Sequence, residues 1–360
     1  MGKLCIDTLM YDITMNCNLR CRHCYNSDFL KHGNYEKINV TKVLEGFSQI
    51  DFKNIIIQGG EPLLISNLEE LIMAFNEKGI NVFITTNAIL LSVERSINLI
   101  KSGLKGIFFS VESAYEVVND RIRGLGTFQL FCVNVKNFSR IYTTLYKKKL
   151  IPPMRIAFST TVSSINFESE QSICDYFEFV IKCGINSVNF NFLMSFGAGK
   201  DLEYDQTMSN LELAKLIVIV SKKYPNINIQ IPLKLLEHDF LKKLGENKIK
   251  LTGAKGKCPA GETMAYVTPD LKIVPCVWLY HLGEESSFTR ENESSLYKKI
   301  PQNAFETFKK YKESCISIFH ECKNCKYEEN CIPICPCVAR FEGNRNTSCP
   351  TRKELGNYKV

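Results

Sequence analysis

The chain has 360 residues, 16 of them cysteine, and a formal net charge of +7. That length exceeds what one small core organises, so a large domain with an appendage is expected. The modest charge, carried in lysine runs such as Lys147–Lys149, forms no basic, aromatic-interleaved stripe, which excludes nucleic acid as a leading partner.

No stretch of eighteen apolar residues reads as a membrane span, and no signal-type segment opens the sequence. The reading is therefore a cytoplasmic protein with no membrane partner. In a reducing compartment many thiols point to metal or catalysis rather than to disulfides.

Short apolar runs rich in β-branched and aromatic residues recur along the first half: LMYDITM (9–15), NIIIQ (54–58), NVFITT (81–86), GIFFSV (106–111), MRIAFSTTV (154–162) and SVNFNFL (187–193). They read as buried strands. Amphipathic stretches lie between them. Residues 68–79 place Leu68, Leu71, Ile72 and Phe75 at helical spacing and stop at Gly79. Residues 92–103 open on Ser92 as an N-cap and stop at Gly103, and residues 168–184 repeat the scheme. Six strand–helix units in series predict an α/β fold, a parallel (β/α)6 partial TIM-like barrel over residues 1–200.

Residues 201–257 read as a bridging region with a helix (211–225), a strand (227–232) and a lysine-rich connector. Over residues 258–360 apolar periodicity is sparse and thiols are dense. This predicts a small cysteine-rich, cluster-binding C-terminal domain held by metal instead of a core.

A barrel of this kind gathers its chemistry at the C-terminal ends of its strands. Two motifs fall there. CNLRCRHC places Cys17, Cys21 and Cys24 after the first strand, and QGGEP (58–62) follows the second. Three thiolates in one loop suit a [4Fe–4S] cluster with one open iron. With His23 reaching around the loop they suit zinc. Towards the other end stand Cys322-x2-Cys325-x5-Cys331-x3-Cys335 and Cys349, preceded by Cys258-x17-Cys276. Such spacing suits iron–sulfur clusters or a pair of zinc ribbons. Cys5, Cys132, Cys174 and Cys183 fall in strand or helix patterns and read as small buried hydrophobes.

The motif C-x3-C-x2-C followed by Tyr25, on the first strand of a βα-repeat domain with GGEP after the second, resembles the radical S-adenosylmethionine (SAM) superfamily. The resemblance implies a cluster on Cys17, Cys21 and Cys24 whose open iron chelates SAM. An electron from the cluster then breaks the S–C5′ bond and a 5′-deoxyadenosyl radical forms. It also implies SAM contacts from Gly59, Gly60, Glu61 and Pro62, with Glu61 accepting from the amine. Ser110 would meet the ribose and Arg123 the carboxylate, although Arg121 and Arg123 read equally as a solvated helix end. Leu193 would offer its backbone to adenine.

The C-terminal spacing resembles the seven-cysteine SPASM extension. That resemblance implies two auxiliary [4Fe–4S] clusters, three clusters in all. Cys258, Cys276 and Cys335 would hold one, with Cys337, Cys315 or the substrate as a fourth ligand. Cys322, Cys325, Cys331 and Cys349 would hold the other. Two departures stand out. Leu271 replaces a glycine of the pattern, so the hairpin there is expected to differ, since a turn with φ > 0 disfavours leucine. Val277 replaces the aspartate base of sulfatase maturation.

These resemblances imply a radical SAM oxidoreductase that modifies a peptide or protein, forming a cross-link, a thioether or an epimerised residue in a ribosomally made peptide. The alternatives are formylglycine formation of the anaerobic sulfatase-maturase type, and oxidation of a small molecule such as a sugar alcohol or cofactor precursor. A metal-binding scaffold without redox chemistry is the non-enzymatic reading. Partners implied are the peptide or protein substrate and an external electron donor of flavodoxin or ferredoxin type. With sixteen residues before Cys17, no leader-binding domain is expected there, so either a separate leader-binding protein presents the peptide or the catalytic domain recognises it directly. The sequence assigns no catalytic acid or base; Glu112, Tyr266, Asp270 and His281 are the candidates.

Overall fold

The structure, a computed structural model, describes residues 4–48, 50–194, 196–203, 207–208, 210–232, 250–252, 259–281, 305–306 and 308–310. Strand β1 (Leu4–Cys5) pairs with β3 (Ile50–Asp51) in a small separate sheet. The main sheet begins with β2 (Thr8–Thr14). Helix α1 (Val40–Gly46) leads to β4 (Asn54–Gly59), and a 3-10 turn (Pro62–Leu64) with α2 (Leu68–Glu77) leads to β5 (Asn81–Thr86). Helix α3 (Val93–Lys101) precedes β6 (Gly106–Ser110). Two helices, α4 (Glu116–Arg123) and α5 (Thr127–Lys147), precede β7 (Arg155–Val162), and α6 (Glu170–Lys182) precedes β8 (Ser187–Phe192). These six strands run parallel in the order β2-β4-β5-β6-β7-β8, as the repeat pattern predicts. The fold is α/β with a parallel sheet of partial-barrel type.

The helices start where the sequence supplies caps. The Ser92 side chain accepts from the Arg95 N–H, and Ser169 and Ser172 form a reciprocal capping box. Each strand then sorts its residues by side. Leu9, Tyr11, Ile55, Ile57, Val82, Ile84, Phe158 and Val188 join the helix-packed core. Their neighbours in sequence line the opposite, concave face, because successive side chains in a strand point to opposite sides.

Beyond β8 come α7 (Gly199–Glu203), α8 (Asn210–Ser221), β9 (Asn228–Pro232) and β10 (Lys250–Thr252), with both strands extending the sheet in parallel. At the other edge β11 (Met264–Val267) pairs in parallel with β2, and β12 (Ile273–Val274) folds back on it before α9 (Val277–His281). Among the described residues no helix is long and apolar enough to cross a membrane.

Several details depart from the sequence reading. Helix α5, 21 residues long, carries Thr, Val and aromatic residues that disguise it. Phe131, Val135 and Phe138 nevertheless fall on one buried stripe, and that packing outweighs propensity. The β11–β12 hairpin forms with Leu271 in place of glycine. Its φ is 63°, its side chain is buried, and a Cβ on Gly46 would lie 3.0 Å from its Cδ1. The hairpin therefore closes with leucine in the left-handed region, anchored by packing against α1. Cys5 is exposed and Cys132 and Cys174 are partly exposed, so of the four cysteines read as buried only Cys183 is so. A terminal strand in a two-stranded sheet and the solvent-side turns of α5 and α6 do not enclose their thiols.

Candidate active site at the C-terminal ends of the strands

The cysteine loop leaves β2 and is held down by three segments. The Gly60 N–H donates to the Thr14 carbonyl (2.7 Å) and the Glu61 N–H to that of Asn16 (2.8 Å), prolonging the β2–β4 ladder into the loop. The approach is so close that a Cβ on Gly60 would lie 2.0 Å from the Asn16 oxygen, which only glycine avoids. Arg20 staples the outer side: its Nη1 donates to the carbonyls of Cys17 and Leu19 (both 2.8 Å), and its Nη2 to that of Lys31 (2.7 Å). The loop after β8 closes from the third side, with the Ala198 N–H donating to the Cys24 carbonyl (3.1 Å).

Cys17 is buried, and Cys21 and Cys24 are partly buried. Burial pushes the Cys17 and Cys24 thiols up to about 12, and the charges of the neighbouring thiols add to the rise in both. Burial raises Cys21 too, against the pull of Arg123. Among the described residues no three His, Cys, Asp or Glu side chains stand at metal-coordinating separations. The donor set nevertheless suits a cationic iron centre. Three mutually repelling sulfurs share one loop, and donors already face two of them: the Leu19 N–H is 3.5 Å from Cys17 Sγ and Arg123 Nη1 is 3.9 Å from Cys21 Sγ. His23 Nε2 lies 3.3 Å from Glu112 Oε1, and its buried Nδ1 has no hydrogen-bond partner among the described residues.

Gly59 to Pro62 pass directly over this loop. Gly59 has φ 119°, and Pro62 opens the 3-10 turn. The Glu61 side chain faces inward. Its carboxylate accepts from Thr86 Oγ1 (2.6 Å), Asn87 N–H (2.8 Å) and Leu63 N–H (3.0 Å). A carboxylate offers about four lone-pair directions, so this brace leaves roughly one for a ligand amine.

Ser110 ends β6, partly exposed on the concave face. Two residues on, Glu112 is fully buried and gathers the opposite wall. It accepts from Arg123 Nε (3.0 Å) and Nη2 and from the Thr161 N–H (2.7 Å). Arg123 is 8% exposed, so it is no solvated helix end; Arg121 is the exposed member of the pair. The Arg22 N–H donates to the Ile122 carbonyl (2.8 Å), locking α4 to the cysteine loop.

Leu193 is buried just past β8. The next turn brings Phe196 onto Trp278 of α9, stacked at 4.5 Å. Trp278 and His281 both meet the Tyr25 ring edge-on, at 5.5 and 5.3 Å. Cys276, buried immediately before α9, is thereby tied to the cysteine loop through aromatic contacts.

Of the four acid–base candidates, Glu112 is occupied by Arg123, and Asp270 sits exposed in the β11–β12 turn beside Lys272. His281 lies within the aromatic cluster. Tyr266 donates to Asp12 Oδ2 (2.8 Å), a carboxylate that also accepts from Asn26 (2.9 Å) and Gln58 (3.1 Å). The sequence reading missed Asp12, Gln58 and Arg20. An acid in the middle of the apolar run LMYDITM was the available signal for Asp12. Cys258, Cys315, Cys322, Cys325, Cys331, Cys335, Cys337 and Cys349 lie outside the described residues.

The Radical SAM superfamily model matches residues 11–146, from within β2 to the last turn of α5. GTP 3′,8-cyclase of Clostridium botulinum (strain Okra / Type B1) is 29% identical over 58% of this chain; the match spans 63% of that relative, less than two thirds of its length. AdoMet-dependent heme synthase of Methanosarcina barkeri (strain Fusaro) is 24% identical over 90% of this chain and 89% of its own. The crystal structure of Streptococcus suis SuiB bound to precursor peptide SuiA is alike in fold, with a TM-score of 0.68 at 17% identity over 96% of this chain and 76% of that one. The segment matched by the family model holds the three cysteines, the Gly59–Pro62 crossing and the Ser110–Arg123 arm, and this part of the chain belongs to the radical SAM superfamily.

Proposed function

We propose that this radical SAM enzyme modifies a ribosomally made peptide, introducing a cross-link or thioether by oxidation or an epimerised residue without net oxidation. The observation that carries the reading is the likeness of fold to SuiB, a protein solved with its precursor peptide, over 96% of the chain. The cysteine spacing beyond residue 258 supports it as well. In this reading Cys17, Cys21 and Cys24 hold the [4Fe–4S] cluster. Gly59, Gly60, Glu61, Pro62, Ser110, Arg123 and the Leu193 backbone surround SAM. Cys258, Cys276 and Cys335, and Cys322, Cys325, Cys331 and Cys349, hold two auxiliary clusters. When bound, cluster and SAM together supply a 5′-deoxyadenosyl radical able to take hydrogen from an unactivated carbon. The chain's own part is to orient and shield. Arg20 and Gly60 fix the loop, Glu112 holds Arg123 beside it, and the Phe196–Trp278–Tyr25 contacts exclude water from its rim.

A second reading, modification of a small cofactor precursor, is supported by the sequence likeness to the cyclase and the heme synthase. Formylglycine formation is weakened by Val277. Anaerobic reconstitution tests the chemistry: roughly twelve irons per chain and 5′-deoxyadenosine under reductant are expected, with Cys21→Ala abolishing cleavage and Cys325→Ala leaving uncoupled cleavage partly intact. Zinc without a nucleoside product overturns the enzymatic reading. Incubation with the peptide of a short neighbouring reading frame, read by mass spectrometry, separates the substrates. A peptide that drives 5′-deoxyadenosine formation and either loses two hydrogens (cross-link or thioether) or, in deuterated solvent, gains one deuterium at an inverted residue supports the first reading, and a peptide with neither change, with turnover on a nucleotide or tetrapyrrole, replaces it.

A further inference from the structure

Towards the N-terminal ends of the strands, away from Ser110, the concave wall carries a cation with no carboxylate partner among the described residues. Arg155 opens β7 on the face opposite the core residue Phe158. Its Nη2 donates to Asn189 Oδ1 of β8 (2.9 Å) and to Gln230 Oε1 of β9. Its guanidinium carbon lies 5.3 Å from the centre of the Phe108 ring, and Phe83 stacks parallel to that ring at 6.0 Å. Two carboxamides and an aromatic floor thus fix the guanidinium in one place. Yet Arg155 is exposed, and among the described residues no carboxylate pairs with it. Burial of its inner part lowers its pKa, with no neighbouring charge opposing that shift. Nε–H and both Nη1 hydrogens have no partner among the described residues. A fixed, exposed cation over an aromatic shelf is complementary to an anion attached to a flat or apolar group.

The register places this group relative to the reacting end. Ser110 pairs with Ser159, and Ser159 with Asn189. Asn189, which Arg155 touches, therefore stands two strands from Ser110, while the Arg155 backbone pairs with Gly106, four residues or about 13 Å along the strand from the Ser110 end.

We infer that Arg155, positioned by Asn189 and Gln230 above the Phe83–Phe108 shelf, is a receptor for a substrate carboxylate held on the N-terminal side of the wall, remote from the Ser110 end. The inference rests on the proposed function and deepens it by naming an acidic group on the substrate. That carboxylate has two possible sources, an acidic or C-terminal group of a peptide and a propionate of a tetrapyrrole.

The test titrates the anaerobically reconstituted full chain, labelled with 15N-arginine, with benzoate and with benzamide, reading the Arg155 Nε–H resonance. A saturable shift with benzoate and at least tenfold weaker binding of benzamide is expected. Arg155→Gln should weaken benzoate at least tenfold, and Lys182→Gln on the outer surface of α6 should not. Equal binding of the two probes by the parent chain, or no benzoate binding, overturns the site without recourse to any variant. Two further arms identify the source: a peptide with a free C-terminus against its amide, and haem against its dimethyl ester. The pair in which blocking the carboxylate abolishes binding names the source, and indifference to blocking in both overturns the assignment. Formation of 5′-deoxyadenosine is measured on the same sample. Its absence with benzoate binding intact overturns the enzymatic reading alone, and the reverse outcome overturns the anion site alone.

Discussion

Gly197 and Cys24 touch backbone to backbone. A Cβ on Gly197 would lie 2.5 Å from the Cys24 carbonyl oxygen, and the residue's φ is 52°. Gly79 has a similar φ of 76° with nothing within 4 Å of a built Cβ. Gly79→Ala should cost only the left-handed backbone penalty, about 1 kcal/mol. Gly197→Ala must also push the β8 loop off the cysteine loop and should cost about 2–4 kcal/mol. Denaturant unfolding of the two variants checks this, together with iron retained after reconstitution, which should fall only for Gly197→Ala. Equal costs would show that the loop contact is unimportant.

Arg123 and Glu112 form a buried pair with His23 alongside. Arg123→Ala strands a buried carboxylate and should destabilise by about 3–5 kcal/mol. Adding Glu112→Gln removes the stranded charge, so the double variant should be less damaged than the two single losses sum to. A double-mutant cycle by chemical denaturation reads the coupling, and strict additivity would refute the pairing.

Asp12 is fully buried and accepts from Tyr266, Asn26 and Gln58, all of them neutral. Burial pushes its pKa from 3.8 up to about 6, against the opposing hydrogen bonds. The folded state thus holds a proton that the unfolded chain releases between about pH 4 and pH 6. Stability should fall as pH rises through that window and stay lower above it. The shift corresponds to on the order of 3 kcal/mol. Asp12→Asn should remove this slope, so its stability relative to the parent should improve between pH 4 and pH 7. Parallel pH profiles for the two proteins would be the contrary result.

Leu271 adopts φ 63° while its side chain packs over Gly46. Leu271→Gly relieves about 1 kcal/mol of backbone strain but forfeits about 2 kcal/mol of apolar burial. A net loss near 1 kcal/mol is expected in thermal or denaturant unfolding. A stabilised variant would mean that the packing contributes less than the strain.

The six parallel strands were legible because each is a short β-branched or aromatic run bounded by turn residues. The cysteine loop and the Gly59–Pro62 crossing were legible because their residue types are chemically specific. What stayed hidden depends on partners distant in sequence. Nothing local in MAYV tells that β11 will pair with β2. The bracing of Glu61 was hidden because Thr86 and Asn87, which donate to it, belong to another strand end. Arg155 reads as an ordinary strand-edge cation until β8 and β9 bring Asn189 and Gln230 beside it.

The Tyr266–Asp12 hydrogen bond spans 254 positions of chain. On a ribosome adding about 5–20 residues per second, β2 waits roughly 13 to 50 s for the neighbour that completes its inner side. For that interval the nascent thiols are displayed on a barrel lacking its flanking strand. Metal loading by an assembly factor during synthesis and loading after release should therefore meet two different mouths.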